Sequence, residues 1–292
     1  MAGKEDETGV IPDKKPQEDE VGHEVWLRKK VGVDIMARCH ALDISPASYF
    51  LGAAFITVSA FCGKQKVFMS TVSNGRGDMR CANTFGMFVN TMPLSGEVGE
   101  QKVGDFLKET DRNFDTTLSF QNYPFAKVSS AFDFHPAVML AYQVGLVEKH
   151  TVNGKPLEDE LLTQDTPKFP LSIFIEGTEE APELALAYDD SQYTEPLIQS
   201  FADAMECVVR GMLKDVALSE IAFVDGERLK QLDSFNNYTQ KVDLTQTVVD
   251  LFRKQAKATP DAPAVLFDGK TVSYKELDNY TDALAAKILS SA

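Results

Sequence analysis

Between Ser45-Pro46 and Gly63 the chain carries an apolar run, Tyr49 to Cys62, relieved only by small or weakly polar residues such as Gly52, Thr57 and Ser59. Ser45 is an N-cap, Pro46 takes the first helical position, and Gly63 suits the left-handed residue that closes a helix. The run is shorter than the roughly 18 apolar residues that mark a membrane-spanning helix. It therefore reads as a helix buried inside a folded domain, and other elements must surround it.

Those elements are legible on both sides. Upstream, Val25, Trp26 and Leu27 mark a strand within His23 to Lys30, and Val33 to Leu42 has helical spacing. Downstream, Lys66 to Val72 is rich in β-branched and aromatic residues, and Ser73-Asn74-Gly75-Arg76-Gly77 ends it. Phe85 to Leu94 predicts a second strand. Val103, Phe106, Leu107, Thr110 and Phe114 form the stripe of an amphipathic helix. Further strands are expected over Phe132 to Gln143, Pro170 to Glu176 and Glu183 to Tyr188, with polar loops such as Val152 to Lys168 between them. Thr194 caps a helix whose apolar face is Leu197, Phe201, Met205, Val208 and Met212. The alternation predicts a mixed α/β sheet domain over residues 23–224, preceded by a flexible or loop-like lead-in over 1–22.

From Asp225 to Gln246 the chain turns polar and reads as a linker. A second unit over 247–292 has Val248, Leu251 and Phe252 on one helical face, a strand at Ala264 to Phe267, and Asp268-Gly269 as a hairpin turn. Ser273 and Glu276 form a capping-box pair before a last helix. So small a unit cannot bury a good core alone, and reads as the truncated start of a domain.

Composition narrows the function classes. The chain has 292 residues, with 29 Lys+Arg against 44 Asp+Glu and a net charge of −15, which excludes broad electrostatic binding of nucleic acid. The N-terminus is charged where a secretory signal needs an apolar run, so the expected location is cytoplasmic. Cys39, Cys62, Cys81 and Cys207 are scattered and the four histidines, His23, His40, His135 and His150, are isolated from one another, so no metal site is expected. No Gly-x-Ser-x-Gly elbow and no phosphate-cradling glycine loop occurs.

Four segments in order then carry a resemblance. Met69 to Arg76 (MSTVSNGR) is similar to a G-x-P-V-x-G-R strand and turn. Gly86-Met87-Phe88-Val89-Asn90-Thr91 resembles G-x-F-V-N-T. Gln121-Asn122-Tyr123-Pro124-Phe125 resembles H/N-Q-D-Y-P-F-E, with Ala126 where Glu is usual, and Phe134 to Leu140 sits where a degenerate S-R-N-P-L-like strand is found. These are motifs of the condensation domains of nonribosomal peptide synthetases. Leu251 to Ala256, Thr259-Pro260-Asp261 and Val272-Ser273-Tyr274-Lys275-Glu276-Leu277 resemble the opening of an adenylation domain, the usual next neighbour.

The resemblance implies an α/β fold of the chloramphenicol-acetyltransferase-like (CoA-dependent acyltransferase-like) class, in which two lobes enclose a tunnel. Carrier proteins would be the partners, delivering a donor and an acceptor thioester on phosphopantetheine arms, with no cofactor bound by the chain itself. The family's proton-handling H-H-x-x-x-D-G motif belongs to the first lobe and is not found here. Cys39-His40-Ala41-Leu42-Asp43 has the wrong spacing and reads as an ordinary helix end. The chain is thus expected to be the second lobe plus the start of an adenylation domain, with no catalytic residue of its own and with the first lobe and the rest of the adenylation domain as missing partners.

By the same resemblance Arg76 is a candidate for an ion pair across the lobe interface, against a solvated loop Arg. Gly86, Phe88, Asn90, Thr91, Gln121, Tyr123, Pro124 and Phe125 are motif or channel candidates. Asn90 either lines an acceptor channel or stitches its strand to a neighbouring loop, and Tyr123-Pro124-Phe125 reads as a packing corner. Ser95 stands where the family often has Arg, which argues against an anion contact there. Two other classes fit the residues: a non-catalytic scaffold that docks carrier proteins, and a CoA-dependent acyltransferase completed by another subunit. The lobe face left uncovered predicts an apolar patch and self-association.

Overall fold

The computed structural model describes residues 8–15, 21–77, 80, 84–145, 151–153, 155–156, 165–237 and 245–291. Met1–Glu7, Cys81 and His150 lie outside the described residues. The chain divides into two compact units, Met1–Lys230 and Gln231–Ala292.

In the first unit the apolar run becomes α2 (Pro46–Cys62), following β1 (Glu24–Lys30) and α1 (Met36–Leu42). Ser45 Oγ accepts the Ser48 N–H at 3.1 Å, and Gly63 closes the helix at φ 68°. Every residue from Ser48 to Val58 is buried. Three further helices follow: α3 (Val103–Ser119), α4 (Phe125–Phe132) and α5 (Glu195–Gly211). Gly52 lets α2 approach α3, since a Cβ there would lie 2.6 Å from Leu107 Cδ2. Tyr49 ties α2 to α5 by donating its hydroxyl to the Val209 carbonyl at 2.8 Å, and burial pushes that phenol up.

The strands are β2 (Lys66–Ser73), β3 (Asn90–Glu97), β4 (Val138–Tyr142), the two-residue pair β5 (Thr151–Val152) and β6 (Lys155–Pro156), β7 (Leu171–Gly177) and β8 (Pro182–Asp189). Six of them form a mixed sheet in the order β1-β8-β7-β4-β2-β3. Its centre is parallel, β4 lying beside both β2 and β7, and its flanks are antiparallel. Alternation sends Leu184, Leu186, Ile173, Ile175, Val138 and Leu140 into one core with α2, α3 and α5.

Several expected boundaries move. The strand read over Phe85 to Leu94 starts only at Asn90, because the Thr84 and Gly86 carbonyls are taken by Arg76 and Gly86 sits at φ 143°. The strand read over Phe132 to Gln143 starts at Val138. Before it stands α4, opened by Pro124 and closed by Asp133 at φ 48°. The helix read over Val33 to Leu42 spans only Met36–Leu42. Residues 8–15, within the lead-in, are docked: Thr8 and Val10 are buried, and Thr8 Oγ1 bonds both the N–H and the C=O of Phe68 at 2.6 Å. One hydroxyl and the single apolar side chain of Val10, which joins the core, anchor the stretch, and neither makes an apolar period in the sequence. The polar stretch read as a linker contains a helix, α6 (Gly226–Asn236).

Asp215 joins two helices. Its carboxylate accepts the Gly104 N–H at 2.9 Å and an Arg38 N–H at 3.0 Å, and these, the backbone bond foremost, hold it below its usual value of 3.8. A depressed carboxylate contributes stability above its unfolded value and loses it as pH falls through the folded one. Acid unfolding below pH 3.8 is therefore expected to be less steep in Asp215→Asn, followed by circular dichroism across that window.

The second unit holds α7 (Val248–Ala258), the hairpin β9 (Pro263–Phe267) and β10 (Lys270–Ser273), and α8 (Tyr274–Ser291). Asp268 and Gly269 both have positive φ, 48° and 71°, as a type I′ turn requires. Thr247 with Asp250 and Ser273 with Glu276 make reciprocal caps. Among its described residues only Ala256 is buried, and Leu266, Phe267 and Leu289 are exposed.

Candidate functional site

With α2, α3 and α5 on one face of the sheet, the other face holds a groove of about 1140 Å³. The strands present to it the side chains that alternate with the core: Trp26 of β1, Met139 and Ala141 of β4, Ser172 and Phe174 of β7, and Thr91 of β3. Residues 8–12 close one end, where the Tyr193 hydroxyl donates to the Val10 carbonyl.

At the opposite margin the nine residues singled out in the sequence come together. Ser73 and Asn90 are the last pair of the β2–β3 ladder, and the chain between them returns as a strap over 84–89. Arg76 donates to the Thr84 carbonyl at 2.9 Å and the Gly86 carbonyl at 3.1 Å, and lies 4.6 Å from the centroid of Phe88. Gly75 has φ 65°, and a Cβ there would meet the Phe88 carbonyl oxygen at 2.1 Å, so only glycine fits beneath the strap. The strap turns Met87 and Val89 toward the groove.

Asn90 joins this margin to the corner before α4. Its Nδ2 donates to the carbonyls of Gln121 and Tyr123 at 2.8 and 2.7 Å, and its Oδ1 accepts the first N–H of α4, from Phe125. Ser73 Oγ donates to Gln121 Oε1 at 2.6 Å and accepts the Gly75 N–H. Thr91 and Phe125 line the groove, whereas the side chain of Tyr123 is exposed. Pro124 opens α4 at φ −64°.

Reading the sequence missed the sheet side of the groove, Trp26, Met139, Ala141, Ser172 and Phe174. The signal was there in the alternation of β4 and β7, where every second residue leaves the aliphatic core.

The described histidines are all solvent-facing. His135 lies at the groove 3.4 Å from Asp133, His23 lies 3.7 Å from Asp190, and His40 is exposed at its helix end. Burial pushes the Cys39 thiol up to about 11 and raises that of Cys207, so neither is an activated nucleophile. Among the described residues no group of three or more His, Cys, Asp or Glu is placed to hold a metal ion, and no single helix is long and apolar enough to cross a membrane.

A family model described as Condensation domain matches residues 3–258. The chain belongs to the condensation domain family. It has that family's mixed α/β architecture, the chloramphenicol-acetyltransferase-like sheet with flanking helices, and is condensation-domain sequence of the kind found in nonribosomal peptide synthetase modules. Bacitracin synthase 1 of Bacillus licheniformis is 25% identical over 247 residues, taking in 78% of this chain and 5% of that protein. Tyrocidine synthase 3 of Brevibacillus parabrevis is 27% identical over 248 residues, 80% of this chain and 4% of that protein. The chain thus spans about a twentieth of the length of such relatives.

Solved structures share the fold. Holo-AB3403, a four domain nonribosomal peptide synthetase bound to AMP and glycine, aligns at TM-score 0.67 and 15% identity, over 98% of this chain and 24% of that one. The X-domain from teicoplanin biosynthesis aligns at TM-score 0.63 and 13% identity, over 76% and 54%.

Proposed function

We propose that the groove is one wall of a chamber in which an amide bond forms between two carrier-borne thioesters. The acceptor amine attacks the donor thioester carbon, the C–N bond forms, and the C–S bond breaks to release the donor carrier's thiol. Such a reaction gains most from holding two reactants together in a channel without bulk water. The observation that carries the reading is the uncovered sheet face with its groove of about 1140 Å³ in a chain of this family.

In this reading Thr91 and Phe125 face the chamber, while Arg76, Gly86, Phe88, Asn90, Gln121, Tyr123 and Pro124 hold the margin that supplies Met87 and Val89. The proton-handling histidine comes from an opposing lobe, and the phosphopantetheine arms belong to carrier proteins. Residues 247–292 serve as the opening of an adenylation domain, which the alignment of 98% of the chain with a four domain synthetase supports. The test joins a histidine-bearing first lobe in frame to this chain and supplies two loaded carrier proteins, with product read by mass spectrometry. Amide is expected from the joined protein and not from this chain alone. Product from the chain alone, or none from a folded joined protein, overturns the reading.

A further inference from the structure

The sheet side of the groove is uneven. On the open face the middle of β8, between Glu183 and Asp189, carries the small Ala185 and Ala187, so side chains of β1 and β7 meet above it. Trp26 stands opposite Ala187 and Phe174 opposite Ala185, and the two rings stack across the strand with centroids 5.3 Å apart and planes at 21°.

The indole is fixed from several directions. Its Nε1–H donates to Glu24 Oε1 at 3.1 Å, and the Arg28 guanidinium, itself tied to Glu176, lies 5.8 Å from the ring. The polar atom of the pair is thus satisfied within β1, and what reaches the groove is carbon surface. Both rings are half-buried, while Ala187 and Ser172 beside them are buried. A pinned aromatic plane that stays partly open above small residues leaves room for another flat group against it. An aromatic ring stacked on such a pair gains more than its buried area alone provides, whereas a puckered ring of the same carbon count gains only the area.

We propose that Trp26 and Phe174 make the groove selective for a thioester substrate whose side chain is a planar aromatic ring. This rests on the chamber reading above and names the substrate class that chamber takes.

Trp26 is the chain's one tryptophan, so its emission reports on this end of the groove. The test titrates the full chain with phenylacetyl-pantetheine and, separately, cyclohexylacetyl-pantetheine, which share a carbon skeleton and differ in planarity. Binding is followed by Trp26 fluorescence and by calorimetry. The phenylacetyl thioester is expected to bind about three- to tenfold more tightly and to shift the emission. In Phe174→Leu the two thioesters are expected to converge to within about twofold. Equal affinities for the unaltered chain overturn the selectivity and leave the chamber reading standing, as does a preference that survives Phe174→Leu. Binding of neither thioester overturns both. Should the variant fail to fold, the comparison on the unaltered chain decides alone.

Discussion

Phe55→Ala is expected to cost about 3–5 kcal/mol of stability, the range for removing a large buried aromatic side chain. Phe55 sits in the middle of α2, only 2% exposed, and its ring abuts Gly96 of β3 so closely that a Cβ on that glycine would lie 2.8 Å from it. The site therefore joins the central helix to an edge of the sheet, and neighbours on both sides are too fixed to collapse into the vacancy. Urea unfolding followed by circular dichroism should show a lower midpoint at an unchanged slope. Phe55→Leu, which refills most of the volume, should lose less than half as much. A loss below about 1 kcal/mol for alanine, the typical effect of an ordinary substitution, would mean that α2 is not the centre of the core.

The second large effect is expected at Asn90. Truncation to alanine removes both donors from the Gln121 and Tyr123 carbonyls and the acceptor from the Phe125 N–H. Partly buried groups stripped of partners cost about 1–3 kcal/mol, and here they hold the entry to α4. Asn90→Asp separates the two halves of the role. The carboxylate still accepts from Phe125, but it sets a negative charge against two carbonyl oxygens, so it should be at least as destabilising as alanine. Amide hydrogen exchange locates the effect: faster exchange is expected through 121–132 in both variants, with α2 unchanged. Uniform exchange across the unit would contradict a local hinge on Asn90.

These two sites also show how far the sequence could be read. α2, α3 and α5 were legible because each carries boundary chemistry or a period of its own: Ser45 with Gly63 for α2, the Val103 to Phe114 stripe for α3, and Thr194 with Pro196 and an apolar face for α5. α4 was not, although Phe125, Val128 and Phe132 keep helical spacing, because eight residues give a weak period and Tyr123-Pro124-Phe125 reads equally well as a corner. The motif residues were found by resemblance. What binds them was not legible: the bonds of Asn90 to Gln121 and Tyr123, and of Arg76 to Thr84 and Gly86, form only after the strands register. The sheet side of the groove was hidden for the same reason. Trp26 and Phe174 are far apart in the chain, and a one-residue shift of β1 or β7 against β8 would send either ring into the aliphatic core.

The pairing of Glu24 with Asp189 sets a schedule for the growing polypeptide. At roughly 5–20 residues per second on the ribosome, the first strand waits on the order of ten to thirty seconds for the one that completes its edge. For most of that interval the 17-residue α2 has emerged while much of what encloses it has not. Chaperone engagement during synthesis should therefore peak once α2 clears the exit tunnel and fall when α5 arrives.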